Sequence, residues 1–129
     1  MNLGLRECLL VGAGGFIGSV SRYVLSGLTH RVLSAAAMPV GTMFVNVLGC
    51  GVIGFLAGVM ESRQLMGPDL RLFLFLGVLG GFTTFSTFGY ETLVLARDGD
   101  HFRAGANVLL TIVLCLIAVW LGHGFGGTR

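Results

Sequence analysis

Four long stretches of this chain are apolar and almost free of charge, and this pattern limits the possible folds more than any other feature. They lie at about residues 3–25, 41–60, 70–95 and 104–122, and short polar loops separate them. A helix needs about 20 mostly apolar residues to cross the hydrocarbon core of a bilayer. The sequence therefore predicts an all-α integral membrane protein, with four transmembrane helices in a single domain that covers residues 1–129.

The low charge content argues against a soluble fold. Only 11% of the residues are charged, whereas a soluble domain carries about 25%. This is too little charge to cover a surface that faces water, so we expect lipid to surround much of the protein. The positive charges are all arginine and form no basic cluster. We therefore expect no nucleic-acid partner.

The cysteines and histidines are not spaced as a redox pair or a zinc site. Cys8, Cys50 and Cys115 each lie in an apolar run without a C-x-x-C spacing. We interpret them as small apolar residues of the protein interior. The three histidines are far apart in the sequence and lack the spacing of zinc ligands.

Arginine is balanced between the two sides of the membrane. With four spans, the N-terminus, the second loop and the C-terminus share one side. That side holds four arginines, Arg6, Arg63, Arg71 and Arg129. The other side holds the remaining four, Arg22, Arg31, Arg97 and Arg103. Positive residues in loops set the orientation of a membrane protein, so this balance favours dual topology and an antiparallel dimer. The alternative is a weak bias, if a residue near a span end such as Arg22 is assigned to the wrong side.

Two spans carry polar pairs at helical spacing. Thr42 and Asn46 are four residues apart in the second span, and Asn107 and Thr111 are four apart in the fourth. Residues at this spacing share a helix face. Polar groups in a bilayer face the protein interior or a transport path, or they join helices by hydrogen bonds. Both interpretations stay open for these pairs.

The third span predicts a break near its middle. Gly80 and Gly81 are followed by Thr83 and Thr84, which are poor helix formers in this position. A break frees backbone carbonyls at membrane depth, which is tolerated where protein or a cavity surrounds them. Freed carbonyls are good ligands for a hard cation such as Na⁺.

Phenylalanine recurs every three residues after the glycine pair, at Phe82, Phe85 and Phe88. Such rings usually serve packing or face lipid. Their edges carry a partial positive charge, so ring edges can also face an anion without any full positive charge. Ser86 and Thr87 add hydroxyl donors beside them.

Three of these segments resemble a known family. Residues 80–88 read Gly-Gly-Phe-Thr-Thr-Phe-Ser-Thr-Phe, residues 14–23 read Gly-Gly-Phe-Ile-Gly-Ser-Val-Ser-Arg-Tyr, and residues 39–49 read Pro-Val-Gly-Thr-Met-Phe-Val-Asn-Val-Leu-Gly. They closely resemble the third, first and second helices of the Fluc (CrcB) fluoride channels. The resemblance covers nearly the whole chain and is weakest in the fourth span.

The resemblance implies a fluoride-selective channel for passive export from the cell, in the inner membrane, built as an antiparallel, dual-topology homodimer. Phe85 and Phe88 would line the fluoride path with their ring edges, and Asn46 would donate its amide N–H to the ion. A polar track would include Ser86, Thr87 and Thr111, with Asn107 and Thr42 beside it.

The resemblance also implies roles away from the fluoride path. Arg22 would lie in a vestibule or a subunit contact, and Phe82 would serve packing. The carbonyls of Gly80 and Thr83, from both subunits, would hold a structural Na⁺ at the dimer interface.

Three rival functions have weaker support. Glycines at positions 12, 15 and 18 are spaced as in a dinucleotide-binding loop, but no acidic residue follows about 20 positions on. We therefore predict that the chain is not an enzyme. A small dual-topology, proton-coupled exporter of organic cations needs a carboxylate deep in a span, whereas Glu7 and Glu91 lie toward span ends. A purely structural subunit would not explain the run Thr83–Phe88.

Overall fold

A computed structural model describes residues 4–33, 37–63 and 66–128, and they form an all-helical protein. Four helical segments are long and apolar enough to cross a membrane. The first two are α1, Leu5–Val32, and α2, Val40–Arg63. The third covers Pro68–Arg97 in several pieces, and the fourth is α6, His101–Gly127. The prediction of four spanning helices is confirmed.

The third span is interrupted where the sequence predicts it. Its first half consists of α3 (Pro68–Arg71), a π-helical segment (Leu72–Leu79) and α4 (Gly80–Phe82), and its second half is α5 (Phe85–Arg97). Thr83 and Thr84 between them are extended, with φ/ψ of −85°/157° and −152°/116°. The π-helical winding has no sequence signal, since every residue of Leu72–Leu79 is apolar or glycine and the run shows no periodicity.

Each spanning helix extends past the apolar stretch that predicts it. The first span ends at Val32 rather than at residue 25, and the fourth covers His101–Gly127 rather than residues 104–122. Hydropathy marks the part of a helix within the hydrocarbon, whereas the helix itself continues until a cap or a loop ends it. Asp100 provides such a cap for α6, because its carboxylate accepts a hydrogen bond from Arg103 N. The predicted first residue of span one lies outside the described residues.

Glycines bring helix backbones into contact along two seams. A Cβ on Gly14 would lie 2.9 Å from Gly77 Cα, so α1 packs directly on the π-helical segment. A Cβ on Gly54 would overlap Val119 O, and one on Gly58 would overlap His123 O. Helices α2 and α6 therefore run parallel and in backbone contact. The sequence contains the pairs Gly14-x-x-x-Gly18 and Gly54-x-x-x-Gly58, whose spacing of small residues predicts close helix approach, and both pairs mediate it here.

The distribution of side chains is inverted relative to a soluble protein. The buried polar side chains Thr42, Asn46, Asn107 and Thr111 lie between the helices, whereas Trp120 and many other large apolar side chains are exposed. An apolar outer surface of this kind is stable in lipid and not in water. The polar interior is therefore where a functional site has to be sought.

Candidate functional site

The amino end of α5 lies inside the bundle and is capped by its own sequence. Thr84 Oγ1 accepts a hydrogen bond from Thr87 N at 3.3 Å and donates one to Thr87 Oγ1 at 3.0 Å. Threonine is a favourable N-cap because its hydroxyl satisfies a free amide of the first turn. Thr84 therefore restarts the helix after the break, a role that its position in the sequence does not predict.

Asn46 of α2 satisfies the backbone of the break with both ends of its amide. Its Nδ2 donates to Thr84 O at 3.1 Å, and its Oδ1 accepts from Thr84 N at 2.8 Å. The side chain thus replaces the peptide partners that Thr84 would have in a continuous helix. Because the Nδ2 group carries two hydrogens, one N–H remains beyond the bond to Thr84.

Several carbonyls at the break, including those of Gly80 and Thr83, lose the donors that a continuous helix would give them. The amides four residues on from Gly80 and Thr83 are Thr84 N and Thr87 N, and they donate to Asn46 Oδ1 and Thr84 Oγ1 instead. By contrast, Leu79 O accepts from both Thr83 N and Thr83 Oγ1. Within the described part of the chain, the carbonyls of Gly80 and Thr83 are therefore free to accept from another group, and free carbonyl oxygens suit a hard cation.

A cavity of about 420 Å³ opens beside the break. Four side chains predicted for a transport path lie on its wall, namely Asn46, Phe85, Phe88 and Thr111. The other lining residues are apolar or neutral, and they are Gly49, Cys50, Ile53, Phe75, Leu79, Gly80, Thr83, Thr84, Ile112 and Cys115. The Thr111 hydroxyl is buried and has no hydrogen-bond partner among the described residues. It can therefore serve a group that enters the cavity.

The two phenylalanines of this cavity form a pair. The ring centroids of Phe85 and Phe88 are 5.5 Å apart and the ring planes are inclined by 48°. Phe88 is buried, whereas Phe85 is 82% exposed in the single chain. Phe82 is also buried but faces α2, where a Cβ on Gly49 would lie 3.3 Å from its ring. Packing therefore accounts for Phe82, as the sequence predicts.

A second, wider cavity of about 960 Å³ holds another part of the predicted set. Arg22, Thr42 and Thr87 line it, and Thr84 lies on the walls of both cavities. Thr42 Oγ1 donates to Glu91 Oε1 at 2.7 Å, and the buried Glu91 Oε2 has no partner among the described residues. Thr84, Thr87 and Glu91 follow a spacing of three and four, and this periodicity would have placed Glu91 on the site face of α5.

Comparison with known proteins identifies the family. The family model described as CrcB-like protein, Camphor Resistance (CrcB), matches residues 9–123. The chain belongs to the CrcB family. Its relatives include proteins from Opitutus terrae (52% identical over 117 residues, 89% of this chain and 88% of the relative) and Methylobacillus flagellatus (47% over 118 residues, 92% of each). A relative from Geobacter sulfurreducens is 46% identical over 118 residues, 92% of this chain and 94% of its own. All three are named fluoride-specific ion channel FluC.

The family membership confirms the resemblance drawn from residues 80–88 and the two matching segments. Four spanning helices and this family fit a multi-pass protein of the cell's inner membrane.

Two of the predicted path residues line neither cavity of this CrcB protein. Ser86 is exposed, and its Oγ lies 3.4 Å from Thr84 Oγ1. Asn107 is 1% exposed and donates to Thr92 Oγ1 at 2.9 Å, while Thr92 Oγ1 donates to Phe88 O at 2.8 Å. Asn107 thus joins α6 to α5 next to Phe88.

Removing the amide of Asn46 should destabilise the protein. Asn46→Ala leaves the N–H and C=O of Thr84 without partners in the interior, so we expect a loss of about 2–4 kcal/mol in the free energy of unfolding. Denaturant unfolding of both proteins in mixed micelles measures this loss of unfolding free energy. Ser19→Ala is the matched control, because the bonds of Ser19 Oγ to described residues go to carbonyls of its own helix, Gly15 O and Phe16 O. Equal stability of the two variants would show that Asn46 does not support the break.

Proposed function

We propose that this chain forms a fluoride-selective channel, through which fluoride leaves the cell passively and the cytoplasmic fluoride concentration falls. The observation that carries the proposal is the 420 Å³ cavity, where Asn46, Thr111 and the Phe85–Phe88 pair meet beside a broken helix. The relatives named fluoride-specific ion channels support the same function.

The lining of the cavity suits a small, strongly hydrated anion. Fluoride gives up its water shell only where other donors replace it. The Thr111 hydroxyl, the second N–H of Asn46 and the ring edges can each provide a weak, positive contact. None of the described residues that line this cavity carries a charge. Weak, repeated binding lets an ion enter and leave, whereas a buried arginine or lysine would hold it.

We place the 960 Å³ cavity at the entrance of the path. Arg22 lies on its wall and attracts anions from the solution, and Thr42 and Thr87 offer hydroxyls. Since Thr84 lines both cavities, an ion passes from one to the other at the N-cap of α5. In this arrangement Asn107 acts through Thr92 on the position of Phe88, and Ser86 extends the row of hydroxyls toward the exposed face.

The alternative, a proton-coupled exporter of organic cations, has no support among the relatives. Its required carboxylate would have to be Glu91, whose Oε1 is held by Thr42 on the wall of the cavity that also contains Arg22. An arginine on the wall of the same cavity disfavours an organic cation.

Fluoride efflux from liposomes tests the function and the role of the rings together. The wild-type protein should release fluoride, without chloride and without a proton gradient, as read with a fluoride electrode. Phe85→Ile and Phe88→Ile should each remain folded but release fluoride about two- to tenfold more slowly, because an aromatic edge contributes roughly 0.5–1.5 kcal/mol.

Phe102→Ile is the control for these variants, since Phe102 is 85% exposed at the start of α6 and lines neither cavity. Normal efflux by both pathway variants would refute the ring-edge mechanism. A folded wild-type protein that releases no fluoride would refute the channel function itself.

We further propose an antiparallel homodimer with dual topology. Four arginines on each side give the insertion machinery no preferred orientation. The single chain leaves Phe85 largely exposed although its neighbour Phe88 is buried, so the cavity wall is incomplete without a second subunit. An antiparallel pair would present two equivalent cavities, one from each subunit.

Site-directed labelling tests the topology. Cys8, Cys50 and Cys115 are replaced by Ala, and Asp98→Cys puts one thiol in the exposed turn between α5 and α6. A membrane-impermeant maleimide added to intact cells should label about half of the chains, and permeabilisation should expose the rest. Labelling of all chains, or of none, before permeabilisation would mean a single orientation.

We propose that the free carbonyls of Gly80 and Thr83, with the same two carbonyls of a second subunit, hold Na⁺ at the dimer interface. These carbonyls lack the hydrogen-bond donors that a continuous helix would provide, and this supports a bound Na⁺, because four carbonyl oxygens suit a hard cation. A group that binds only the folded dimer stabilises it by mass action.

Replacing Na⁺ by N-methyl-D-glucamine at equal ionic strength should therefore lower the midpoint of thermal unfolding in detergent, since carbonyls cannot enclose the bulky cation. K⁺ serves as a second comparison and should restore less stability than Na⁺. The same midpoint in all three salts would count against a bound Na⁺.

A further inference from the structure

Two cysteines that the proposed fluoride path does not use lie together on the wall of the 420 Å³ cavity. Cys50 belongs to α2 and Cys115 to α6, and both side chains are partly exposed toward that space. Gly54 contacts Val119 across the parallel helices, and Cys50 and Cys115 each precede these residues by one helical turn, so the two cysteines lie opposite each other. The third cysteine, Cys8, is exposed on α1 and lines none of the cavities described above.

The glycine seam between α2 and α6 explains this pairing. A Cβ on Gly51, the residue after Cys50, would lie 3.9 Å from Ala118 O, and one on Gly122 would overlap Gly51 O. Ala118 follows Cys115 by one helical turn. Two helices in backbone contact hold side chains beside the seam closer together than an ordinary helix pair does. The backbone contact between α2 and α6 therefore sets the positions of the two thiols.

We propose that Cys50 and Cys115 form a two-thiol site, open to the cavity, that chelates a thiophilic centre such as trivalent arsenic. Sulfur ligands bind soft atoms preferentially, and two thiols on one rigid surface can bind the same atom together. An organoarsenical R–As=O reacts with both thiols, forming two As–S bonds. The oxygen leaves as water with the two thiol protons, so no electrons are transferred and no oxidant is needed.

An adduct at this site would block the cavity. Asn46, Phe85 and Phe88 share the wall with the two thiols, so a bulky group on arsenic fills the space that fluoride would cross. The lining is mostly apolar, which favours a phenyl substituent. A neutral arsenical also reaches the site through lipid. This effect on flux rests on the proposed channel function, whereas binding of arsenic to the two thiols does not.

Intact-mass spectrometry of the reduced, purified protein tests the site with phenylarsine oxide as the probe. We expect one phenylarsenic adduct per chain, which survives excess 2-mercaptoethanol and is removed by 2,3-dimercaptopropanol, because only a dithiol competes with a chelate. Cys50→Ala and Cys115→Ala should each require at least tenfold more reagent, whereas Cys8→Ala should match the wild type. Cys50→Ser and Cys115→Ser replace the alanine variants if either elutes as misfolded protein.

Fluoride efflux from liposomes, measured with the same variants, tests the block. Phenylarsine oxide should stop efflux by the wild type and by Cys8→Ala at concentrations that leave Cys50→Ala and Cys115→Ala active. A stable adduct that persists in Cys50→Ala or Cys115→Ala, or an adduct that 2-mercaptoethanol removes, would overturn the two-thiol site. A stable adduct with undiminished efflux would overturn the block. If the untreated wild type releases no fluoride, the channel function fails, and the mass measurement still decides on the site.

Discussion

The bond between the Asn46 amide and the backbone of Thr84 is the interaction on which the rest of the structure depends. A helix that breaks inside a bilayer exposes N–H and C=O groups where no lipid can satisfy them, at a cost of several kcal/mol for each group. Asn46 satisfies the N–H and the C=O of Thr84, and the Thr84 hydroxyl satisfies one amide of the first turn of α5, Thr87 N. Without these partners the third span would gain more by closing into a continuous helix. The break, and with it the cavity, would then be lost.

Small residues make room for this polar interior. Glycine contacts press α1 onto the π-helical segment and α2 onto α6, and so the bundle holds together without a large apolar core. Polar side chains of α2, α5 and α6 meet in the interior, and two of these contacts are hydrogen-bonded pairs, Thr42 with Glu91 and Asn107 with Thr92. The polar groups therefore contribute both to helix association and to the chemistry of the site, which the sequence alone could not separate.

The sequence predicted those features that follow from local composition. The four spans follow from length and hydropathy, the break follows from Gly80–Thr84, and the two close helix contacts follow from the Gly-x-x-x-Gly pairs. The ends of the helices were less accurate, because a helix continues past the hydrocarbon. The π-helical winding of Leu72–Leu79 depends on how α1 packs against it and leaves no trace in a uniformly apolar run.

The sequence predicted only part of the candidate site, because local composition does not show contacts between helices. Four of the expected residues do line one cavity, yet Asn107 points to Thr92, and the binding partner of Asn46 is a backbone segment. These contacts join residues far apart in sequence, so spacing within one helix could not reveal them. Glu91 lies toward the end of the third span, and its spacing from Thr84 and Thr87 places it on the same face of α5.

The interruption of the third span also divides its helix dipole. Instead of one long dipole with both poles near the membrane surfaces, there are two shorter ones whose inner poles meet beside Thr83 and Thr84. The carboxyl end of the first half, next to the carbonyl of Gly80, carries a partial negative charge of at most about 0.5 elementary charge. The amino end of α5, next to Phe85, carries a similar partial positive charge. A single break thus creates fields of opposite sign within a few residues. Neither field requires an ionised side chain, so both persist at any pH at which the protein stays folded.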